Sequence, residues 1–283
     1  MMISRPLFRS LITVSLTTSA IHAQVLFNQD FTSSTDFEDY FSESPSAGQF
    51  NDINTGASNV ATISNGTLTF TKSVAGSGGS SGFVRTTDIG LNPNVLQFSF
   101  TFNVSGNSSD QTSGTQLVLQ VGAGFGTGVT AESNSEVHSR IAFNWTEIGG
   151  QWAIEPGGGG SASSNYIGAQ TVTWVVNNSG SSFDYTAPNS STTSVANDSY
   201  DLWIGDTLEL TSVTATSASQ SLTDFKFAFN TAANAATISF DNLSISSLSA
   251  VPEPSSFATL AGFAVLGLAA SRRRRSCSAS LAA

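Results

Sequence analysis

The sequence of 283 residues contains very little cysteine and histidine. Its one cysteine, Cys277, follows four arginines near the C-terminus, so the preceding chain can form no disulfide and carries no catalytic thiol. Of the two histidines, His22 lies near the N-terminus and His138 stands alone in the central region. A catalytic zinc site usually needs two or three imidazoles, and a serine triad needs a histidine together with a nucleophile elbow, which is absent here. We therefore expect no thiol, zinc or triad chemistry.

Basic residues are scarce between residues 24 and 250, where the only ones are Lys72, Arg85, Arg140 and Lys226. The same region holds nineteen acidic residues, so its formal charge is −15. Such an excess of negative charge repels nucleic-acid phosphates and anionic lipid headgroups. We therefore exclude nucleic acid as a partner and expect cations, polar glycans or basic proteins instead.

The central region also lacks a convincing amphipathic helix, and alternation with a period of two dominates it. Apolar residues occupy every second position from Leu96 to Val104, which is typical of a half-buried antiparallel strand. Similar segments are 67–73, 83–87, 117–121, 137–145, 152–155, 172–176, 200–210, 225–229 and 237–246. About a dozen short strands with Gly- and Ser-rich connections predict an all-β fold of two packed antiparallel sheets, a β-sandwich or jelly roll.

The last predicted strand changes phase. Its apolar residues fall on even numbers up to Phe240 and on odd numbers from Leu243, with Asp241 and Asn242 between them. This pattern predicts a β-bulge or sharp bend at Asp241. The amino-acid sequence of residues 238–245 is similar to the closing strand of carbohydrate-binding jelly rolls and of concanavalin-like or laminin G-like sandwiches. That resemblance implies Asp241 as a ligand of a structural calcium ion; the alternative is a bulge that tolerates polar side chains.

The N-terminal segment 1–23 has the three parts of a secretory signal peptide. Arg5 and Arg9 precede a short apolar run at 11–16, and small residues lead up to Ala23. We expect passage through the export machinery and cleavage by signal peptidase after Ala23, with Ala20 as the competing site. The alternative is a buried first helix. With the leader removed, residues 24–250 are long enough for one large all-β ectodomain, which we expect, or for two small domains.

The C-terminal segment also has three parts in a fixed order. The sequence Pro252, Glu253, Pro254 comes first and is followed by 255–271, which contain no charge. At about 1.5 Å per residue these seventeen residues extend about 26 Å, which is a marginal length for a bilayer core of about 30 Å, so they predict one short transmembrane helix. By the positive-inside rule, a basic cluster keeps the tail 276–283 in the cytoplasm and the ectodomain across the membrane. The members of that cluster are Arg272, Arg273, Arg274 and Arg275.

Pro-Glu-Pro, an apolar helix and an arginine cluster at the C-terminus resemble the PEP-CTERM sorting signal of Gram-negative bacteria, over residues 251–275. In that family a membrane protease of the exosortase type recognises Pro-Glu-Pro, removes the helix and passes the protein to the cell surface or exopolysaccharide matrix. The resemblance implies that Pro252, Glu253 and Pro254 are the processing motif. The extension 276–283 is longer than the family pattern. The alternative is a permanent anchor in which the prolines simply interrupt the chain.

Trp145 and Trp152 are the candidate ligand-binding residues. They flank a hairpin-like connection at 146–151, where either ring can be exposed, and flat aromatic faces stack on sugar rings. Trp174 alternates with two valines and is expected in the core.

The carboxylates give weaker indications. Glycoside hydrolysis needs a pair of them, and Glu132, Glu136, Glu147 and Glu155 lie near predicted loops. None belongs to the tight alternating acidic signature associated with sandwich-fold glycosidases, so we expect no enzyme. Acidic clusters at 36–39 and 198–206 offer oxygen ligands to calcium but lack the EF-hand spacing. We expect no cofactor other than, at most, a structural calcium ion.

These observations favour an exported structural, adhesive or matrix-associated protein, with contact to surface polysaccharide as its specific role. A glycoside hydrolase or polysaccharide lyase of sandwich fold is one alternative, and an inert surface coat protein is another. Fold alone does not decide among them.

Overall fold

A computed structural model describes residues 21–250, apart from residues 58, 91, 113–115 and 158. The predicted leader up to residue 20 lies outside the described residues, and so do Pro-Glu-Pro, the apolar segment 255–271 and the four arginines. Within the described residues, no helix has the length and apolar character needed to cross a bilayer. The contacts of Ala23–Ser249 group these residues into one compact unit.

The described residues contain seventeen β-strands and one short 3₁₀ helix at Phe37–Tyr40. The strands are β1 (Ile21–Gln29), β2 (Asp52–Asn54), β3 (Asn59–Ser64), β4 (Thr67–Lys72), β5 (Ser81–Arg85), β6 (Val95–Ser105), β7 (Leu117–Gly122), β8 (Val137–Trp145), β9 (Gln151–Pro156), β10 (Tyr166–Ile167), β11 (Gln170–Asn177), β12 (Phe183–Thr186), β13 (Thr192–Val195), β14 (Ser199–Ile204), β15 (Thr207–Thr214), β16 (Asp224–Phe229) and β17 (Ala236–Ala250).

Two large antiparallel sheets account for most of these strands. The first has the order β15-β14-β11-β6-β17-β4-β3, and β1 also pairs with β17. The second has the order β10-β9-β8-β7-β16-β5-β2, while β12 and β13 form a separate hairpin. The predicted all-β fold with two packed antiparallel sheets is confirmed.

The core lies between the two sheets and is rich in phenylalanine. Alternate residues of β6 point inward, as their period of two predicts, and Phe98, Phe100 and Phe102 are buried there. Rings from opposite sheets meet closely: the centroids of Phe102 and Phe143 are 4.2 Å apart. Packed aromatic pairs of this kind stabilise a fold beyond the area they bury, which suits a domain without disulfides.

The predicted irregularity in the last strand is present. The pairing of β17 with β6 shifts register between Asp241 and Ser244, and Asn242 has a φ of 52°. Asparagine tolerates this left-handed conformation better than most residues. The bulge lets Phe240 and Leu243 both face the core although their numbers differ in parity.

The segment predicted as one strand at 200–210 is two strands. A tight turn separates β14 from β15, and Gly205 occupies it with a φ of 56°. The hairpin of β12 and β13 was not predicted, because only Tyr185 and Val195 of its eight residues are buried.

A polar network holds this hairpin to β14. The buried carboxylate of Asp201 accepts hydrogen bonds from the Tyr185 hydroxyl at 2.7 Å and from the Ser212 amide at 2.6 Å. The indole Nε1 of Trp203 donates to the Tyr185 oxygen at 2.7 Å. Each of these buried groups therefore has a partner, as burial of polar atoms requires.

Candidate ligand-binding cleft

The structure corrects the prediction for Trp145 and Trp152. Their exposed fractions are 1% and 0%, so neither offers a face on which a sugar could stack. They are register partners across β8 and β9, and both belong to the core. The centroid of Trp152 lies 4.9 Å from that of Phe102, and its Nε1 donates to a backbone carbonyl. The alternation Ile141, Phe143, Trp145 would have indicated an inward position.

Asp241 lies at the bulge of β17 near one other carboxylate, that of Asp30. Burial raises the pKa of Asp241, and the negative charge of Asp30 raises it further. The part of the chain that the structure describes contains no group of three His, Cys, Asp or Glu side chains arranged to hold a metal ion. A calcium ion at Asp241 therefore stays a prediction.

The four candidate catalytic carboxylates have separate surroundings. Glu132 forms an ion pair with Lys226. Glu136 accepts a hydrogen bond of 2.8 Å from the Ser133 hydroxyl. Glu147 follows β8, and Glu155 lies on β9, where burial raises its pKa. No described contact joins any two of them.

A cleft of about 350 Å³ opens where β8 and β14 begin and β9 and β15 end. This volume lies within the range of small-ligand pockets. The main lining residues are Asn134, Arg140, Pro156, Gly157, Tyr200 and Thr216. The cleft thus takes a guanidinium and a phenol from different sheets.

Two polar groups of this cleft are buried without a partner. Tyr200 is only 2% exposed, and its hydroxyl makes no hydrogen bond to any described residue. The Nε of Arg140 is likewise buried and unpartnered. Since most buried polar atoms in proteins are hydrogen-bonded, each exception requires an explanation. A ligand in the cleft would supply the missing partners.

The two groups influence each other electrostatically. Burial raises the pKa of the Tyr200 phenol above its usual range, and the positive charge of Arg140 partly offsets this rise. Burial also lowers the pKa of Arg140, although the guanidinium stays charged at neutral pH. At pH 7 the cleft therefore presents a cation beside a neutral phenol, which can donate one hydrogen bond and accept others.

His138 lies behind the wall of the cleft. Its backbone carbonyl accepts a hydrogen bond of 2.7 Å from the amide of Thr216, which lines the cleft. Its Nδ1 is 2.9 Å from the Ser139 hydroxyl, while Nε2 has no partner among the described residues. Burial lowers the pKa of His138 to about 4, so the imidazole is neutral at pH 7.

Two other depressions fit a ligand less well. One of about 490 Å³ lies beside Phe41 and Asp52, and its described lining residues leave no buried polar atom unpartnered. The other, of about 190 Å³, lies beside Asn144 and Trp145 and contains no basic residue. It includes two unpartnered buried atoms, but it is smaller than typical ligand pockets.

Arg140 and Tyr200 were not among the predicted ligand-binding residues. Both fall in segments predicted as strands, where a polar residue is ordinarily assigned to the solvent face. A usable signal existed for Arg140, because it is one of only four cations in a strongly acidic region. No local signal identifies Tyr200, since its position depends on which strand ends meet across the sandwich.

Comparison with known proteins assigns the C-terminal segment. Residues 250–275 match the PEP-CTERM protein-sorting motif, which confirms the resemblance of that segment. Among curated proteins, no relative matches the sequence.

Several solved structures are similar to this chain at low identity, each with a TM-score below 0.5. One is the carbohydrate esterase vb_24B_21 from the Shiga toxin-encoding bacteriophage phi24B, with 10% identity, coverage of 80% of this chain and 99% of that chain, and a TM-score of 0.45. Another is the carbohydrate recognition domain of Emp46p in its potassium-bound form, with 9% identity, coverage of 78% and 96%, and a TM-score of 0.45. A third is lectin I-B4 from Griffonia simplicifolia in its metal-free form, with 11% identity, coverage of 81% and 99%, and a TM-score of 0.41.

Proposed function

We propose that this protein binds carbohydrate at the cell surface or in the extracellular matrix, and that its ligand occupies the cleft of Arg140 and Tyr200. The PEP-CTERM motif indicates an exported protein that is sorted to the cell surface by an exosortase-type system. The observation that carries the proposal is the pair of unpartnered buried groups at the cleft.

The chemistry of the cleft suits a sugar. Sugar hydroxyls donate and accept hydrogen bonds, so they can satisfy a phenol and a guanidinium together. The threonine hydroxyl of Thr216 and the amide of Asn134 add neutral polar groups at the rim. A purely apolar ligand would leave all of these groups desolvated and unpaired, which costs free energy.

Binding without turnover is favoured over catalysis. Glu132 forms an ion pair with Lys226, and within the described residues no contact pairs two of the candidate carboxylates, so a hydrolase receives no support from them. The unpartnered Nε2 of His138 favours the lyase alternative more, because a neutral imidazole can accept a proton. His138 is not one of the residues that line the cleft, however, so a substrate in the cleft would have to displace part of the wall to reach it.

The test is binding of the purified full-length chain to a panel of bacterial and plant polysaccharides in buffer that contains calcium. We expect saturable binding to one class and a loss of at least tenfold in affinity for Tyr200→Phe. Tyr185→Phe is the matched control, because Tyr185 is equally buried but lies in the network under the β12–β13 hairpin. A folded protein that binds no member of the panel would overturn the proposal and favour an inert coat protein.

Two additions to this assay separate the remaining alternatives. Release of new reducing ends or of unsaturated sugars from a bound polysaccharide would reveal a hydrolase or a lyase. Removal of calcium with a chelator, compared with Asp241→Asn, tests the predicted calcium site. If calcium binds at Asp241, the chelator lowers thermal stability in the wild type and has little further effect in the variant.

A further inference from the structure

The four basic residues of the region 24–250 differ in one respect. Lys72 donates to two backbone carbonyls of the loop that follows it, and Arg85 donates to three backbone carbonyls. Lys226 is paired with Glu132. Arg140 has neither a hydrogen bond nor an ion pair from its side chain to any described residue. Among the four, Arg140 is therefore the cation whose side chain has no partner in the described part of the chain, and it lines the cleft.

This arrangement is unexpected in so acidic a domain. Nineteen acidic residues lie in the same region, yet none forms an ion pair with Arg140 among the described residues. A partly buried guanidinium without a counter-ion pays a desolvation cost that no contact offsets. An anion brought by the ligand would offset it and would also fill the hydrogen-bonding capacity of Nε.

Gly157 fixes the position of the Arg140 side chain. A Cβ atom added at Gly157 would lie 2.1 Å from Cγ and 2.6 Å from Cδ of Arg140, so only glycine allows this packing. Gly157 has no positive φ, which means that its role is to leave room and not to supply an unusual backbone conformation. The aliphatic stem of Arg140 thus packs against Gly157 at the end of β9, and Arg140 lines the cleft together with Tyr200.

We infer that the ligand carries a carboxylate, as in a hexuronate residue of a polysaccharide, and that Arg140 is its counter-ion. This inference rests on the proposed carbohydrate function of the same cleft. The planar guanidinium matches a carboxylate with two parallel hydrogen bonds, and the Tyr200 hydroxyl bonds a neighbouring sugar oxygen. A carboxylate carries one negative charge, whereas a phosphate monoester carries nearly two. The formal charge of −15 on residues 24–250 therefore repels a carboxylate less than a phosphate monoester.

The same charge restricts the polymer. A homopolymer of uronate would bring many negative charges close to an acidic surface. Exposed charges separated by more than about 8 Å are largely screened at physiological ionic strength. We therefore expect a heteropolysaccharide in which neutral sugars separate the carboxylated ones.

The experiment uses the full-length chain with ¹⁵N-labelled arginine and follows the Nε–H resonance of Arg140, assigned by its loss in Arg140→Lys. The probes are sodium glucuronate, the methyl ester of glucuronate and sodium sulfate. We expect a saturable shift of the Arg140 resonance with glucuronate and at least tenfold weaker binding of the ester and of sulfate. Equal binding of the ester, or no shift with glucuronate, would overturn the inference, and so would sulfate binding as tightly as glucuronate.

A pair of glycine variants tests the geometry without removing the charge. Gly157→Ala displaces the stem of Arg140, and we expect it to weaken glucuronate binding at least fivefold. Gly128→Ala is the control, because a Cβ there meets no atom within 4 Å and Gly128 has no positive φ. If both variants fold and bind glucuronate equally well, Gly157 does not position Arg140 for binding, and the inference is overturned. Should Gly157→Ala fail to fold, Arg140→Gln in the same titration decides the matter.

The polysaccharide panel distinguishes this inference from the proposed function. Neutral polysaccharides that bind as tightly as acidic ones, with loss in Tyr200→Phe, would leave the carbohydrate function standing and overturn the carboxylate. Glucuronate that binds while no polysaccharide does would support the anion site and remove the carbohydrate role. Tight binding of an acidic polysaccharide, lost after chemical reduction of its carboxyl groups, supports both.

Discussion

Tyr185 of the β12–β13 hairpin and Tyr200 of β14 in the first sheet are both buried, but their hydroxyl groups have different surroundings. The Tyr185 hydroxyl donates to Asp201 and accepts from Trp203, so its network is complete. The Tyr200 hydroxyl has no partner among the described residues, although Tyr200 directly precedes Asp201 on β14. Successive residues of a strand point to opposite faces, so one strand separates the two environments.

The contrast between these two hydroxyl groups indicates that some buried polar groups stabilise the fold while others are available to a ligand. A complete network such as that of Tyr185 rigidifies the structure and orders an element with a poor core of its own, the β12–β13 hairpin. An incomplete set such as Arg140 and Tyr200 lowers stability until a partner arrives. Substitutions at the two sites should therefore have opposite signatures: loss of stability at the first and loss of binding at the second.

The largest effect is expected for Asp201→Ala. This change leaves the buried Tyr185 hydroxyl and the half-buried Ser212 amide without their acceptor, and each such loss costs about 1–3 kcal/mol. We expect the free energy of unfolding, measured with urea, to fall by about 4 kcal/mol. Asp184→Ala removes the same charge from an exposed position of the hairpin and should change the free energy of unfolding by less than about 0.5 kcal/mol. Equal effects in both variants would show that net charge, and not the network, is responsible.

The next effect is the pH dependence caused by His138. Its pKa is about 4 in the folded protein against 6.5 for an ordinary histidine, so the unfolded chain binds the extra proton between these values. Stability from this residue is complete above pH 6.5 and is lost as the pH falls towards 4, by roughly 3 kcal/mol in total. We expect His138→Gln to remove this dependence when urea unfolding is measured across that range.

Asp201 acts in the opposite sense and must be separated from His138. Burial raises the pKa of Asp201, so the folded protein binds the proton more tightly and stability falls as the pH rises above 3.8. The difference between wild type and His138→Gln at each pH cancels this contribution. A difference that does not vary with pH would contradict the buried neutral imidazole.

Much of the fold could be predicted from the sequence, because alternation reports directly which residues face the core. The strand of Phe98, Phe100 and Phe102 and the bulge at Asp241 are examples of patterns that depend only on neighbours in the chain. The β12–β13 hairpin was not predicted, because its burial depends on a hydrogen-bond network with Asp201 that no local sequence pattern encodes.

The candidate site could not be predicted in the same way. Aromatic composition favoured Trp145 and Trp152, but their alternation with core residues places both inside. Arg140 and Tyr200 are sixty residues apart and meet only because the beginnings of β8 and β14 lie at the same end of the sandwich. Sites built across two sheets depend on topology, which sequence periodicity does not reveal.

A smaller effect is expected for Tyr185→Phe. The substitution removes one hydroxyl and leaves the Asp201 carboxylate short of a donor and the Trp203 indole without an acceptor. We expect the free energy of unfolding to fall by about 2 kcal/mol, less than for Asp201→Ala because the Ser212 amide keeps its partner. Ligand binding at the cleft should be unchanged. A loss of binding in this variant would mean that the hairpin contributes to the site.

The smallest effect on stability is expected for Tyr200→Phe. Its hydroxyl has no hydrogen bond to lose, whereas the ring keeps its edge contact with Trp174 at 5.8 Å between centroids. Removal of a buried unpartnered polar group should leave the free energy of unfolding within about 0.5 kcal/mol of the wild type or raise it slightly. The same variant should lose binding at least tenfold, so urea unfolding and the polysaccharide assay must be read together. If Tyr200→Phe destabilises the protein as much as Tyr185→Phe, the Tyr200 hydroxyl stabilises the folded protein. It would then no longer support a ligand site in the cleft.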